Sequence, residues 1–135
     1  MKVHLYASLA LGALLAQGAA VAHHSFAAEF DFEKAVTLKG TVVKWEMINP
    51  HGWITLDVAT GQGKPVRWMV ETSNPNGLMR LGWTKNSLKP GDEITVDGYQ
   101  AKDGSSTANA ARITLADGSK VFAGTSAPDA GGARP

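Results

Sequence analysis

The sequence has 135 residues, with 13 lysine and arginine residues, 12 aspartate and glutamate residues and no cysteine. A chain of this length is expected to form one small domain that buries enough surface to fold alone. The lack of cysteine excludes disulfides, thiolate zinc sites and cysteine nucleophiles. The charges show no basic surplus of the kind that nucleic-acid binders carry, so nucleic acid is not an expected partner.

Residues 1–22 have the pattern of a secretory signal peptide, with a charged start, an apolar middle and a small-residue end. Their apolar run is shorter than the roughly 20 apolar residues that a transmembrane helix needs. We expect cleavage between Ala22 and His23, although cuts after Gly18 or Ala20 also satisfy the small-residue rule. The mature protein is therefore expected to be periplasmic or secreted, with no membrane span.

Period-two alternation of apolar side chains predicts strands over residues 36–47, 53–58 and 66–72. In the first of these strands, Val42 and Trp45 are expected on opposite faces. Gly40, in the middle of the same strand, indicates a bulge or a sharp bend, as a strand needs when it curls into a small barrel.

A short helix is expected after the third strand, because Ser73 or Asn74 can cap it and Pro75 suits its first position. Two Asp-Gly turns then separate two or three further strands. This order of elements matches an OB-fold. The predicted fold class is all-β with one short helix, in a small five- to six-stranded OB-like Greek-key barrel.

Four segments follow from these patterns. They are the signal peptide over residues 1–22, a leader segment over 23–34, the barrel domain over 35–124 and a tail over 125–135. The leader is rich in phenylalanine and suits packing on the barrel. The tail has no apolar periodicity and is rich in proline, glycine and alanine, so we expect it to be disordered.

Several separated motifs resemble a family of small exported bacterial proteins that is known as a domain of unknown function. They include "HHSFAAEFD" directly after the signal peptide, "NPHGW" and "LKPGDEITVDGY". The resemblance extends over essentially the whole mature chain. It implies an exported, barrel-like domain with no established activity. The stretch "GDEITVDGYQAKDG" is also similar to the fourth-strand hairpin of other exported bacterial OB-fold proteins, which bears on the fold alone.

The mature chain would hold three histidines, His23, His24 and His51. An N-terminal His23 offers its α-amine and its ring Nδ1 to one metal ion, and His51 can add a third nitrogen. This set suits copper(II), which favours nitrogen ligands in near-planar geometry. In a second geometry, His24 binds copper together with the terminal amine and the intervening amide. Both geometries require cleavage before His23.

Other interpretations of these histidines stay open from the sequence. His23 and His24 are also compatible with solvated side chains, and His51 with a hydrogen bond to its own turn. Glu46 and Glu71 end the first and third strands, where either carboxylate can approach His51 as a ligand or as a partner that orients its ring. Most glutamates at strand ends are simply solvated.

Tryptophans are frequent for so short a chain. Trp45 and Trp53 flank the turn that holds His51 and are candidate walls of a ligand pocket. Trp68 and Trp83 are expected to fill the core instead.

The sequence lacks a Ser-His-Asp order, a Walker loop and an H-E-x-x-H motif, so we expect a protein that is not an enzyme. The favoured function is a small exported binding protein with a metal ion, copper first, or a small ligand near the "NPHGW" loop. The alternative is a structural or interaction accessory protein without a metal site, which docks on a periplasmic protein through an aromatic face.

Overall fold

The computed structural model describes residues 27–124. Its strands are β1 (Phe30–Met47), β2 (Gly52–Val58), β3 (Val66–Glu71), β4 (Glu93–Ala101), β5 (Thr107–Leu115) and β6 (Lys120–Phe122). Helix α1 (Pro75–Arg80) lies between β3 and β4, and residues 27–29 are also helical. The predicted signal peptide, His23, His24 and the predicted tail lie outside the described residues. Within residues 27–124, no helix has the length and apolar character needed to cross a membrane.

The six strands form one sheet in the order β3-β2-β1-β4-β5-β6, and a further pairing of β3 with β5 closes it into a ring. In that closing pair, Met69–Glu71 run parallel to Thr107–Asn109, whereas the other pairs are antiparallel. The helix lies between the third and fourth strands, as the sequence predicts. The predicted all-β class is therefore confirmed, and the closed ring is compatible with an OB-like barrel.

The core fills the inside of this ring with aliphatic side chains. On β2, Ile54 and Leu56 are fully buried, while Trp53 and Thr55, which alternate with them, are half-buried on the outer face. The alternation predicted for this strand is thus confirmed. Other strands and the loops around α1 complete the cluster with Leu38, Val42, Val70, Leu78, Trp83, Leu88, Ile94, Val96 and Ile113.

Strand β1 differs from its sequence prediction in two ways. It begins at Phe30, earlier than the alternation that starts at Val36, because Phe30 is buried and pairs with Ala101 of β4. Its pairing with β2 also shifts between Val42 and Lys44. This bulge places Trp45 opposite the core residue Ile54, so the expectation that Val42 and Trp45 lie on opposite faces is wrong.

Gly40 lies where β1 pairs with both neighbouring strands, opposite Val58 of β2 and Ile94 of β4. A Cβ atom at Gly40 would lie 2.5 Å from the carbonyl oxygen of Asp57. The strands approach too closely here for any side chain, which explains why glycine stands at the centre of a curved strand.

Helix α1 begins as predicted. The side chain of Asn74 accepts a hydrogen bond of 2.8 Å from the Gly77 amide, and Pro75 follows at the first helical position. Leu78 is buried and anchors the helix on the barrel. Leu81 at the C-terminal cap is instead exposed.

Candidate functional site

The candidate site lies where β2 begins and β3 ends. Because these strands are antiparallel neighbours, Trp53 near the start of β2 pairs with Glu71 at the end of β3. His51 precedes Trp53 by two positions, which directs its side chain to the same outer face. The ring Nδ1 of His51 lies 2.7 Å from Oε1 of Glu71. A local hairpin therefore brings the imidazole and the carboxylate together.

The two partners differ in exposure. The His51 side chain is 36% exposed, whereas that of Glu71 is 6% exposed. Burial and, to a smaller extent, the negative charge of Glu29 together raise the pKa of Glu71 from 4.5 to about 7. Once Glu71 is ionised, the His51 Nδ1–H donates to it and the other ring nitrogen, Nε2, carries the lone pair. This tautomer allows Nε2 to bind a cation or accept a proton.

The N-terminal segment, residues 27–30, enters the structure beside this pair. Its Glu29 lies close enough to Glu71 for the two charges to interact. The carbonyl of Glu29 accepts a 2.8 Å hydrogen bond from the Lys102 amide, and Lys102 Nζ donates to the carbonyl of Ala27. Residues 27–30 are therefore fixed to the end of β4.

Glu46 lies on the same outer face as Glu71, on the other side of Trp53 in the sheet register. Its Oε1 lies 2.7 Å from the Nζ of Lys44, with which it forms a surface ion pair. Of the two predicted carboxylates, Glu71 is the one in contact with His51.

The two tryptophans near the turn lie on different faces. Trp45 packs against Trp83 at a ring separation of 5.3 Å, and its Nε1 donates a 3.0 Å hydrogen bond to the Thr84 carbonyl. Trp53 lies on the outer face beside Glu71. The side chain that can line a ligand site next to His51 is therefore Trp53. Trp68 and Trp83 pack with the core, as predicted.

Within residues 27–124, no group of three or more histidine and acidic side chains is placed to hold a metal ion. His23 and His24, the other two predicted ligands, lie outside this range. The metal-ligand role predicted for His23, His24 and His51 thus stays a prediction.

Three residues near the site were not identified from the sequence. Asn109 of β5 lies opposite Glu71 across the closing strand pair and is buried. Glu29 and Lys102 bring the N-terminal segment to the same place. An asparagine in an alanine-rich strand is a feature that the sequence shows and that can mark a site. The hydrogen bond of a lysine to a distant backbone carbonyl has no recognisable sequence pattern.

The chain matches DUF6152, a family of unknown function, over residues 12–110. No curated protein and no solved structure matches it. Because the match covers well over half of the sequence, the chain belongs to the DUF6152 family, whose function is unknown.

Proposed function

We propose that this protein is a small exported binding protein that binds copper(II) at His51, with His23 and His24 supplying the other nitrogen ligands. The single observation that carries the proposal is the 2.7 Å contact between His51 Nδ1 and the buried Glu71 carboxylate. Histidines that bind metals usually donate their second ring N–H to a carboxylate or a carbonyl, which fixes the ring and makes the ligating nitrogen more basic.

The position of the N-terminal segment supports the same proposal. Ala27 follows His24 by three positions, so at full extension His24 lies within about 10 Å of it. Ala27 belongs to the segment whose Glu29 interacts with the charge of Glu71. A mature chain that begins at His23 would therefore have its amine and two imidazoles within reach of His51.

Copper(II) is the favoured metal because of the chemistry of these donors. An amine and imidazoles are nitrogen ligands, and the chain has no cysteine thiolate to favour softer ions. Copper(II) binds such nitrogen sets more tightly than the other first-row divalent ions do.

The proposal is tested by titrating the secreted, processed protein with copper(II) in a calorimeter, after its intact mass has shown that it begins at His23. His51→Ala should weaken binding by at least about 10- to 100-fold, because loss of a group that only orients a metal ligand already costs this much. Glu46→Gln is the matched control and should bind as the unaltered protein does, because its carboxylate pairs with Lys44. Equal, weak binding by the unaltered protein and by His51→Ala would remove His51 from the site.

A second candidate function is docking on a periplasmic protein without a metal. It is favoured by the exposure of Leu81, a large apolar side chain that lines a shallow hollow together with Trp83 and Leu115. This function predicts that Leu81→Ser or Trp53→Ala releases the partner in a pull-down from periplasmic extract, while His51→Ala retains it. The reverse pattern would contradict it.

A further inference from the structure

Helix α1 contains the one asparagine of this chain that precedes a glycine, the exposed Asn76 before Gly77. At such a pair the backbone nitrogen of the glycine can attack the side-chain amide carbon of the asparagine, because glycine has no side chain to hinder the approach. A succinimide ring forms and ammonia leaves. Water then opens the ring at either carbonyl, which gives aspartate or isoaspartate. Asn76 is therefore a candidate site of deamidation.

The other asparagines are poorer candidates for this reaction. Asn49 and Asn74 precede prolines, whose nitrogen has no hydrogen to lose. Asn109 is buried within β5, where strand pairing fixes the backbone. Asn86 is exposed, but the side chain of Ser87 hinders attack by the nitrogen that follows it. The reaction is therefore expected to be selective for α1.

Two hydrogen bonds hold the peptide between Asn76 and Gly77 in the helix. The Gly77 amide donates to the side chain of Asn74 at 2.8 Å, and the Leu78 amide donates to the carbonyl of Asn74 at 3.0 Å. Attack requires the Gly77 nitrogen to lose its proton and to approach the Asn76 side chain, which the bond to Asn74 opposes. Amides held in this way become reactive through local opening of the structure. Deamidation at Asn76 and hydrogen exchange at Gly77 therefore depend on the same opening.

We propose that Asn76 is a deamidation site whose rate is set by the Asn74 cap, so that the protein is modified in α1 when this helix opens. The two products differ in their effect. Aspartate at this position places a negative charge in the first helical turn, where such a charge is favourable and where the helix has no acidic residue. Isoaspartate instead routes the main chain through the side chain and adds one methylene group to the backbone.

The isoaspartate product acts on the start of β2. Leu78 is fully buried, and a Cβ atom at Gly52 would lie 3.0 Å from its Cδ1. Leu78 therefore packs on the backbone that directly follows His51. A longer backbone two positions before Leu78 displaces this contact, so isoaspartate should destabilise the part of the barrel that carries the candidate site. This effect does not depend on copper binding.

The test follows the purified protein in mildly alkaline buffer. Peptide mass spectrometry measures the conversion of Asn76, and NMR measures the hydrogen exchange of the Gly77 amide. Asn74→Ala removes the acceptor of the cap, whereas Asn74→Ser keeps one. Asn86→Ala is the matched control, because it removes another exposed asparagine and leaves α1 unchanged. The unaltered protein in urea gives the rate of conversion without the helix.

Conversion should be fastest at Asn76, and slower in native buffer than in urea. Asn74→Ala should raise the rates of conversion and exchange about fivefold, the effect of a typical lost cap. Asn74→Ser and Asn86→Ala should match the unaltered protein. Faster conversion at another asparagine would overturn the site, and equal rates in the unaltered protein and in Asn74→Ala would overturn the role of the cap. The isoaspartate form should unfold at a lower temperature than the unconverted protein, and equal stability would overturn the displacement of Leu78.

Discussion

The carboxylate of Glu71 links the candidate site to the pH dependence of folding. Burial raises its pKa from 4.5 to about 7, so the folded protein keeps this proton over a pH range in which the unfolded chain releases it. A group whose folded pKa is raised contributes stability at low pH that is lost as the pH rises through the folded pKa. Ionised Glu71 is therefore accommodated in the barrel at a cost.

This cost predicts that the free energy of unfolding of the metal-free protein depends on pH differently in the unaltered protein and in Glu71→Gln. As the pH rises from 4.5 to about 7, the free energy of unfolding of the unaltered protein should fall relative to that of the variant, by up to about 3 kcal/mol. Denaturant unfolding at several pH values across this window measures the difference. Glu46→Gln should follow the unaltered protein, and parallel curves for Glu71→Gln and the unaltered protein would contradict the account.

At this scale the sequence predicts part of the site. His51 at the start of one strand and Glu71 at the end of the next must meet if the two strands form a hairpin, so their contact follows from local pattern alone. The same reasoning does not show which of Glu71 and Glu46 contacts His51, because each lies near the end of a strand that pairs with β2. The difference arises from burial of Glu71 at the ring closure and from Lys44, which pairs with Glu46.

At the scale of the elements, the close pairing of β4 with β5 depends on one glycine, Gly98. A Cβ atom at Gly98 would lie 2.1 Å from the carbonyl oxygen of Asn109, a rigid backbone atom of the paired strand. The chains can approach this closely because Gly98 has no side chain. The close approach therefore occurs at Asn109, the β5 residue that pairs with Glu71 of β3.

Gly98→Ala should therefore destabilise the fold by about 3 kcal/mol, since the backbone of β5 would have to move away. Gly77→Ala provides the control, because its Cβ would meet a Ser73 side-chain oxygen at 3.0 Å and alanine favours the helix. The control should change stability by less than about 1 kcal/mol in either direction. Urea unfolding measures both variants. A Gly98→Ala protein as stable as the unaltered one would contradict this packing.

Element types are predicted better than their exact faces and ends. The turns and caps have strong local signals, such as Asn74 before Pro75, and they appear where expected. The bulge between Val42 and Lys44 has no such signal, since valine is typical of regular strands, and so the face of Trp45 was predicted wrongly. The early start of β1 at Phe30 depends on a distant partner, Ala101, which period-two patterns do not reveal.

At the scale of the whole molecule, the candidate site depends on closure of the ring. Glu71 is held by the parallel pairing of β3 with β5, and the N-terminal segment is held by the end of β4. Without disulfides, folding alone brings these parts of the chain together. The proposed copper site shared between the N-terminus and His51 therefore requires the folded protein and predicts that shared binding is lost on unfolding. Copper held by His24, the terminal amine and the intervening amide would remain bound to the unfolded chain.

Thermal unfolding of the processed protein, with and without copper(II), separates these two cases most directly. A ligand at 100 times its Kd that binds the folded state alone adds about 2.7 kcal/mol, which for a domain of this size raises the Tm by roughly 10 °C. We predict a rise of this kind for the unaltered protein and a clearly smaller one for His51→Ala, which binds copper more weakly. An equal shift in both proteins, or no shift in the unaltered protein, would contradict a copper site shared by the chain terminus and the barrel.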